Sequence, residues 1–177
     1  MDRERGHLPR SVPTQATSRR IKVLSLGDAG VGKSCLIKRY CEGKFVFEYI
    51  PTIGIDYGVK SATLEDEEIK VNFWDVAGDP VYFEVRNEFY RDINVAILVF
   101  DVGSKKSFQT LDKWVSELTS LSEENVSVFV VANKIDVPSR EVPISDSQDY
   151  AASHNFRYFE VSALTGYQIF HQTLSHA

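Results

Sequence analysis

Residues 27–34 read Gly-Asp-Ala-Gly-Val-Gly-Lys-Ser, which satisfies the pattern G-x-x-x-x-G-K-[ST]. No other stretch constrains the chain as much. Residues 21–26 before it alternate in polarity and read as a buried strand; residues 33–40 after it carry apolar side chains at helical spacing. Strand, glycine loop and helix in that order are what a phosphate-binding loop (P-loop) needs. Its glycines let the backbone come close to a phosphate, and successive N–H groups then curl around it at the helix N-terminus. The candidate phosphate-side residues are therefore Asp28, Ala29, Gly30, Val31, Gly32, Lys33, Ser34 and Cys35. Lys33 offers a mobile positive charge to the outer phosphates, and Ser34 offers a hydroxyl to Mg²⁺.

The chain has 177 residues, enough for one domain with a sizeable core. No apolar run is long enough to cross a membrane, the longest being residues 95–100 and 128–132, and the polar N-terminus does not read as a signal peptide. The two cysteines, Cys35 and Cys41, lie six apart on the first expected helix, so a disulfide is not expected. A reduced, cytoplasmic setting follows, with the nucleus as the alternative and secretion not expected. The four histidines have no metal-ligand spacing. Net charge is −5, but residues 1–20 hold five Arg against Asp2 and Glu4, a net +3 that leaves −8 for the rest. That balance argues against nucleic-acid binding by the domain. Residues 1–20 read as a disordered basic tail, and residues 21–177 as the folded domain.

Further strands are expected at residues 55–64 and 69–75, with residues 65–68, Glu-Asp-Glu-Glu, as the hairpin turn between them. Then follow a helix at 81–91, a strand at 95–101 and a helix at about 105–120. A strand at 126–132, a helix near 145–154, a strand at 156–161 and a short final helix from about 167 complete the order. Strands alternating with helices predict an α/β fold: a three-layer P-loop NTPase sandwich. Its six-stranded sheet is mostly parallel, with one antiparallel strand from the hairpin and helices on both faces. Ligands of such sheets bind beyond the carboxyl ends of the strands. The glycine loop, Asp75, Asp101, Asn133 and Ser162 all fall at or just past strand ends.

Asp75, before Val76-Ala77-Gly78, can hold Mg²⁺, often through water; alone it reads equally as a turn residue. Gly78 lets its N–H approach a terminal phosphate. Asn133-Lys134-Ile135-Asp136 ends a strand. A carboxylate at Asp136 can accept two hydrogen bonds from the ring N–H and amine of guanine, and adenine has no matching donor pair. Asn133 can bond the imidazole side of the purine, and the Lys134 stem can lie across the ring. Taken alone, N-K-x-D reads as a surface turn; downstream of a P-loop it reads as base recognition. Ser162, Ala163 and Leu164 follow the last strand and offer a backbone N–H near the base oxygen. Phe45 is either an edge-on purine contact or a core aromatic. Thr52 is either a second hydroxyl ligand of Mg²⁺ or an ordinary loop residue.

In combination, these residues resemble the Ras-like small GTPases over residues 21 to about 170. Within that superfamily, Thr52-Ile53-Gly54-Ile55-Asp56-Tyr57 is similar to the Rab effector segment. The stretches 34–41, 53–59 and 83–90 are similar to the Rab-like RJL (RBJ) group. The resemblance implies a monomeric switch on GTP and GDP with Mg²⁺-dependent hydrolysis, in which Lys33, Thr52 and Gly78 serve the γ-phosphate. Residues around 45–54 and 76–91 would be its two mobile segments. Protein effectors and exchange or activating factors would dock through residues 45–57 and 76–91.

Three departures bear on that reading. Asp79 stands where the family usually has the Gln that orients the attacking water. A carboxylate about 4 Å from a phosphate charge would be repelled by roughly 4 kcal/mol at an effective dielectric near 20. Asp79-Pro80 reads instead as an N-cap followed by Pro at the first helical position, with a catalytic base as the alternative. Slow hydrolysis and a stiffer second segment are the expectation. Ala29 places a methyl beside the γ-phosphate site. The chain ends at His176-Ala177 with a shortened final helix and no C-terminal cysteine, so no prenyl anchor is expected; nor is the J domain that many RJL proteins carry. Two functions stay open: a slow GTPase, or a GTP-loaded scaffold that recruits effectors with negligible hydrolysis. An ATP-using kinase or ATPase disagrees with residues 133–136.

Overall fold

The computed structural model describes residues 19–48, 50–65, 67–122 and 126–169. β1 (Arg19–Leu26) leads through the glycine loop into α1 (Lys33–Glu42). β2 (Ile55–Leu64) and β3 (Glu67–Val76) form the hairpin. A 3₁₀ turn (Pro80–Tyr82), α2 (Phe83–Arg86) and a second 3₁₀ turn (Asn87–Tyr90) precede β4 (Val95–Asp101). Then come α3 (Lys105–Gln109), α4 (Leu111–Leu121), β5 (Ser127–Asn133), α5 (Ile144–Ser153) and β6 (Arg157–Glu160). The six strands lie in the order β2-β3-β1-β4-β5-β6, antiparallel only between β2 and β3. This is the expected α/β sandwich.

The register shows why the strands read as near-continuous apolar runs. Alternate side chains point to opposite faces of a strand, and both faces of this sheet are covered. Leu24, Leu26, Leu98, Phe100, Val130 and Ala132 enter one core with Leu111, Trp114 and Leu118 of α4 and Ala151 of α5. Val23, Val71 and Phe73 pack on the other face with Ile37 of α1, and Val99 and Val131 pack there with Leu36. Each fully buried Leu or Phe contributes about 1.5–3 kcal/mol. After β1 the chain builds β3 on one side and β4 on the other, so the carboxyl end of β1 is a topological switch point. Such points open a crevice for ligands.

Several boundaries differ from expectation. Arg19 and Arg20 are not tail: they pair with Ile69 and Lys70 as the start of β1. The expected tail otherwise lies outside the described residues, as does the final helix beyond the turn at 167–169. The hairpin turn is shorter than residues 65–68, because Leu64 already pairs with Glu67. The expected helix at 81–91 is three short pieces, ending where Arg91 becomes extended. Its Arg86 and Tyr90, four apart on one face, are drawn inward by α4. The helix expected at 105–120 divides at Thr110, whose hydroxyl donates to Asp28 of the glycine loop at 2.8 Å.

Candidate nucleotide-binding site

A cavity of about 340 Å³ opens at the carboxyl ends of β1, β3, β4 and β5, within the size range of small-molecule sites. Ala29, Gly30, Gly32, Lys33, Ser34 and Cys35 line its phosphate-loop side. Phe45, Thr52, Gly78 and Asp79 line a second side; Asn133, Lys134, Asp136, Ala163 and Leu164 line a third. Of the residues expected at the site, Asp28, Val31, Asp75 and Ser162 stand behind this lining.

The local backbone explains the loop. Gly32 has φ of 98°, and a Cβ there would come within 2.3 Å of the Asn133 amide nitrogen. Gly78 packs so closely that a Cβ would lie 2.4 Å from the backbone nitrogen of Ala29. Only glycine permits the approach of these loops at either position. The buried Lys33 ammonium donates to the carbonyls of Gly27 at 2.8 Å and Asp28 at 3.0 Å. Burial pushes its pKa down to about 8, against the opposing pull of Asp75 and Asp28.

Three oxygen-bearing side chains meet at the start of α1. Ser34 Oγ lies 2.7 Å from Thr52 Oγ1 and donates to Asp75 Oδ2. Thr52 Oγ1 is 3.5 Å from the same carboxylate oxygen, and Ser25 donates to the other at 2.8 Å. Burial raises the Asp75 pKa, although hydrogen bonds from Ser34 and Ser25 favour the charged form. One carboxylate with two hydroxyls is a hard-oxygen set that suits Mg²⁺, which keeps several waters and needs no all-protein cage. Among the described residues, no three or more His, Cys, Asp or Glu gather as a competing metal site. The residues present fit the metal that the sequence implied.

On the base side, the Asn133 side chain serves the protein itself. Its amide donates to Val31 O at 2.8 Å, and its oxygen accepts from Ala163 N at 3.3 Å. It therefore fastens the phosphate loop to the loop after β6, and it also lines the cavity, on the side where the sequence suggested a purine contact. Lys134, in a left-handed conformation with φ of 64°, reaches Gly30 O at 2.8 Å and Asp101 Oδ2 at 2.7 Å. Asp136 accepts from Ser162 Oγ at 2.5 Å, which orients its carboxylate. Phe45 lines the cavity and also packs against the core cluster that holds Val31 and Leu36, with an edge contact to the exposed Phe47.

Asp79 adopts the cap: its carboxylate accepts from Val81 N at 2.9 Å, with φ −74° and ψ 131°. The Asp28 side chain turns away from the cavity and accepts from Thr110 Oγ1 at 2.8 Å and Trp114 Nε1 at 2.9 Å. Sequence reasoning missed Lys38, which lines the cavity one turn after Ser34, and the pairing by which Asp101 holds Lys134. The spacing Ser34 to Lys38 could have revealed the first. It also missed Arg86 and Glu117, whose pairing no local pattern signals.

The family model described as Ras family matches residues 22–176. Among curated relatives, "DnaJ homolog subfamily C member 27" of Bos taurus is 54% identical over 155 residues, covering 84% of this chain and 57% of that protein. The Homo sapiens protein of the same name is 53% identical over the same shares, and that of Danio rerio 51%. The chain thus spans 57% of the length of these relatives. With a six-stranded sheet of this order, a glycine loop after β1 and a family match over nearly its whole length, the chain belongs to the Ras family.

Proposed function

We propose that this chain is a Rab-like guanine-nucleotide switch that depends on Mg²⁺ and hydrolyses GTP slowly. The observation that carries the reading is one cavity shared by two chemistries. Ser34 and Thr52, with Asp75 behind them, gather at one end, and Asp136 stands at the other. Ser34, Thr52 and Asp75 would hold the metal, which when bound neutralises phosphate charge. Lys33 and the backbone of residues 28–32 would cradle the phosphates. Burial disfavours charge on both Lys33 and Asp75, and a phosphate beside one with a cation beside the other would relieve it. Asp136 would select guanine, with the 162–164 backbone near the base oxygen.

Lys33, Thr52 and Gly78 would stabilise the γ-phosphate during hydrolysis. Asp79 offers no hydrogen-bond donor for the attacking water, and its carboxylate is engaged with Val81 N. The scaffold reading draws on the same cap: a chain that holds GTP and recruits effectors without turnover. Exposed apolar side chains at Phe47, Ile50, Ile53, Tyr57, Val81 and Val85 support docking of protein partners across residues 45–57 and 76–91.

Single-turnover hydrolysis of pre-loaded GTP, with Mg²⁺, beside Asp79→Gln decides the rate. The variant is expected to hydrolyse at least about tenfold faster, a barrier change near 1.4 kcal/mol. Equal rates in the two proteins would show that position 79 is not limiting.

A further inference from the structure

Arg86 is 1% exposed, an unusual place for a guanidinium. It is held on every side. Nε and Nη2 form a two-pronged pair with Glu117 of α4, at 2.6 and 2.9 Å. Nη1 donates to the backbone carbonyl of Asp79 at 2.9 Å. Its guanidinium carbon lies over the ring of Trp114, 4.9 Å from the centroid, and over that of Phe83, at 5.4 Å. Tyr90 donates to the same Glu117 oxygen at 2.6 Å, so one end of the 79–90 segment is tied to that carboxylate directly and the other through Arg86.

These contacts continue into the phosphate loop. Trp114, stacked on Arg86, donates to Asp28 of the loop, and Gly78, next to the held Asp79 carbonyl, abuts the backbone of Asp28 and Ala29. A ring of contacts therefore runs from Asp28 through Trp114, Arg86 and Asp79 back to the loop, with α4 as its fixed member. None of these groups needs a nucleotide as partner. By contrast, the described residues of 43–54 have no helix or strand, and their backbone tie to the second segment is Gly54 O, which accepts from Ala77 N at 2.8 Å.

We propose that Arg86 and Glu117 form a nucleotide-independent latch that keeps residues 79–90 in one arrangement, so that residues 45–54 alone report which nucleotide is bound. The proposal rests on the reading of the cavity as a guanine-nucleotide site. It assigns Arg86 a positioning role: a buried, doubly paired ion has two arrangements only if its partner is given up, and the partners that hold it are protein groups, Glu117 and the Asp79 carbonyl. Partners that read residues 79–90 would then bind both nucleotide states alike, and those that read 45–54 would discriminate.

Hydrogen–deuterium exchange on the full chain, loaded with GDP or with a non-hydrolysable GTP analogue and Mg²⁺, tests this after both affinities are measured. In the wild type, exchange across 79–90 should agree within about twofold between the two states, while 45–54 differs by about tenfold or more. The double variant Arg86→Met with Glu117→Leu keeps the packing volume without the ion pair. In it, exchange across 79–90 should become nucleotide-dependent by about tenfold, with affinity kept. Glu117→Gln should do the same to a smaller degree and supplies the arm if the double variant fails to fold. A wild-type segment 79–90 that already responds to nucleotide, or variants in which it still does not, would overturn the latch. Failure of the wild type to bind either nucleotide would instead refute the underlying reading of the cavity.

Discussion

Glu117→Ala is expected to destabilise the folded protein by about 3–5 kcal/mol, the usual cost of stranding a buried charge. The charge left behind is Arg86, whose side chain is 2% exposed beside a Glu117 side chain at 8%. Tyr90 loses its acceptor at the same time. In a chain of this size the melting temperature should fall by roughly 6–20 °C. Removing both charges together, with Arg86→Met and Glu117→Leu, should recover most of that loss, because desolvating the pair offsets much of its attraction. A thermal melt of Glu117→Ala within about 2 °C of wild type would show that the pair is solvated. The pH dependence has a definite sign. Burial pushes the Glu117 carboxyl up, but hydrogen bonds from Arg86 and Tyr90 outweigh it and hold the pKa below its ordinary 4.5. The stability it contributes is therefore complete above pH 4.5 and is lost as the pH falls through the lower folded-state value.

Asp136→Ala should act on recognition and leave the fold alone. Each hydrogen bond from guanine to a carboxylate contributes about 1.5–3 kcal/mol, so losing two should weaken GTP and GDP binding by roughly 10²–10⁴-fold. ATP affinity should barely change, since adenine offers that edge no donor pair. Titration of both nucleotides against the variant reads the difference. A parallel loss for ATP would mean that Asp136 supports the loop and does not read the base. The Ser162 hydroxyl that orients Asp136 gives a milder companion: Ser162→Ala should weaken guanine binding with the same selectivity.

What was legible in the chain follows from locality. The sheet could be read because both its faces are covered, which turns the strands at residues 95–101 and 127–133 into apolar runs that periodicity finds. The phosphate loop could be read because its eight residues carry their chemistry in sequence order. The Asp79-Pro80 cap was legible for the same reason: donor and acceptor are two residues apart. The pieces of the 80–90 segment were not, because Arg86 and Tyr90 answer to a carboxylate on α4, 31 residues from Arg86. The side-chain partners of Asp28 were hidden on similar grounds. Its partners Thr110 and Trp114 lie more than 80 positions away, and only the packing of α4 beside the loop brings them together. The structural bonds of Asn133 were hidden too: its amide group links Val31 to Ala163, two loops that the fold alone makes neighbours. Short-range chemistry was readable, and side-chain partners fixed by helix-to-sheet packing were not.

The central claim is that this cavity takes a guanine nucleotide with Mg²⁺, and a nucleotide titration of the purified chain tests it most directly. GTP, GDP and ATP are each titrated by calorimetry, with Mg²⁺ and again with a chelator. The account predicts tight binding of GTP and GDP, ATP weaker by roughly 10⁴-fold or more, and a marked loss of GTP affinity when the metal is removed. ATP binding as tight as GTP, or GTP binding indifferent to the metal, would contradict the roles given to Asp136 and to Ser34, Thr52 and Asp75.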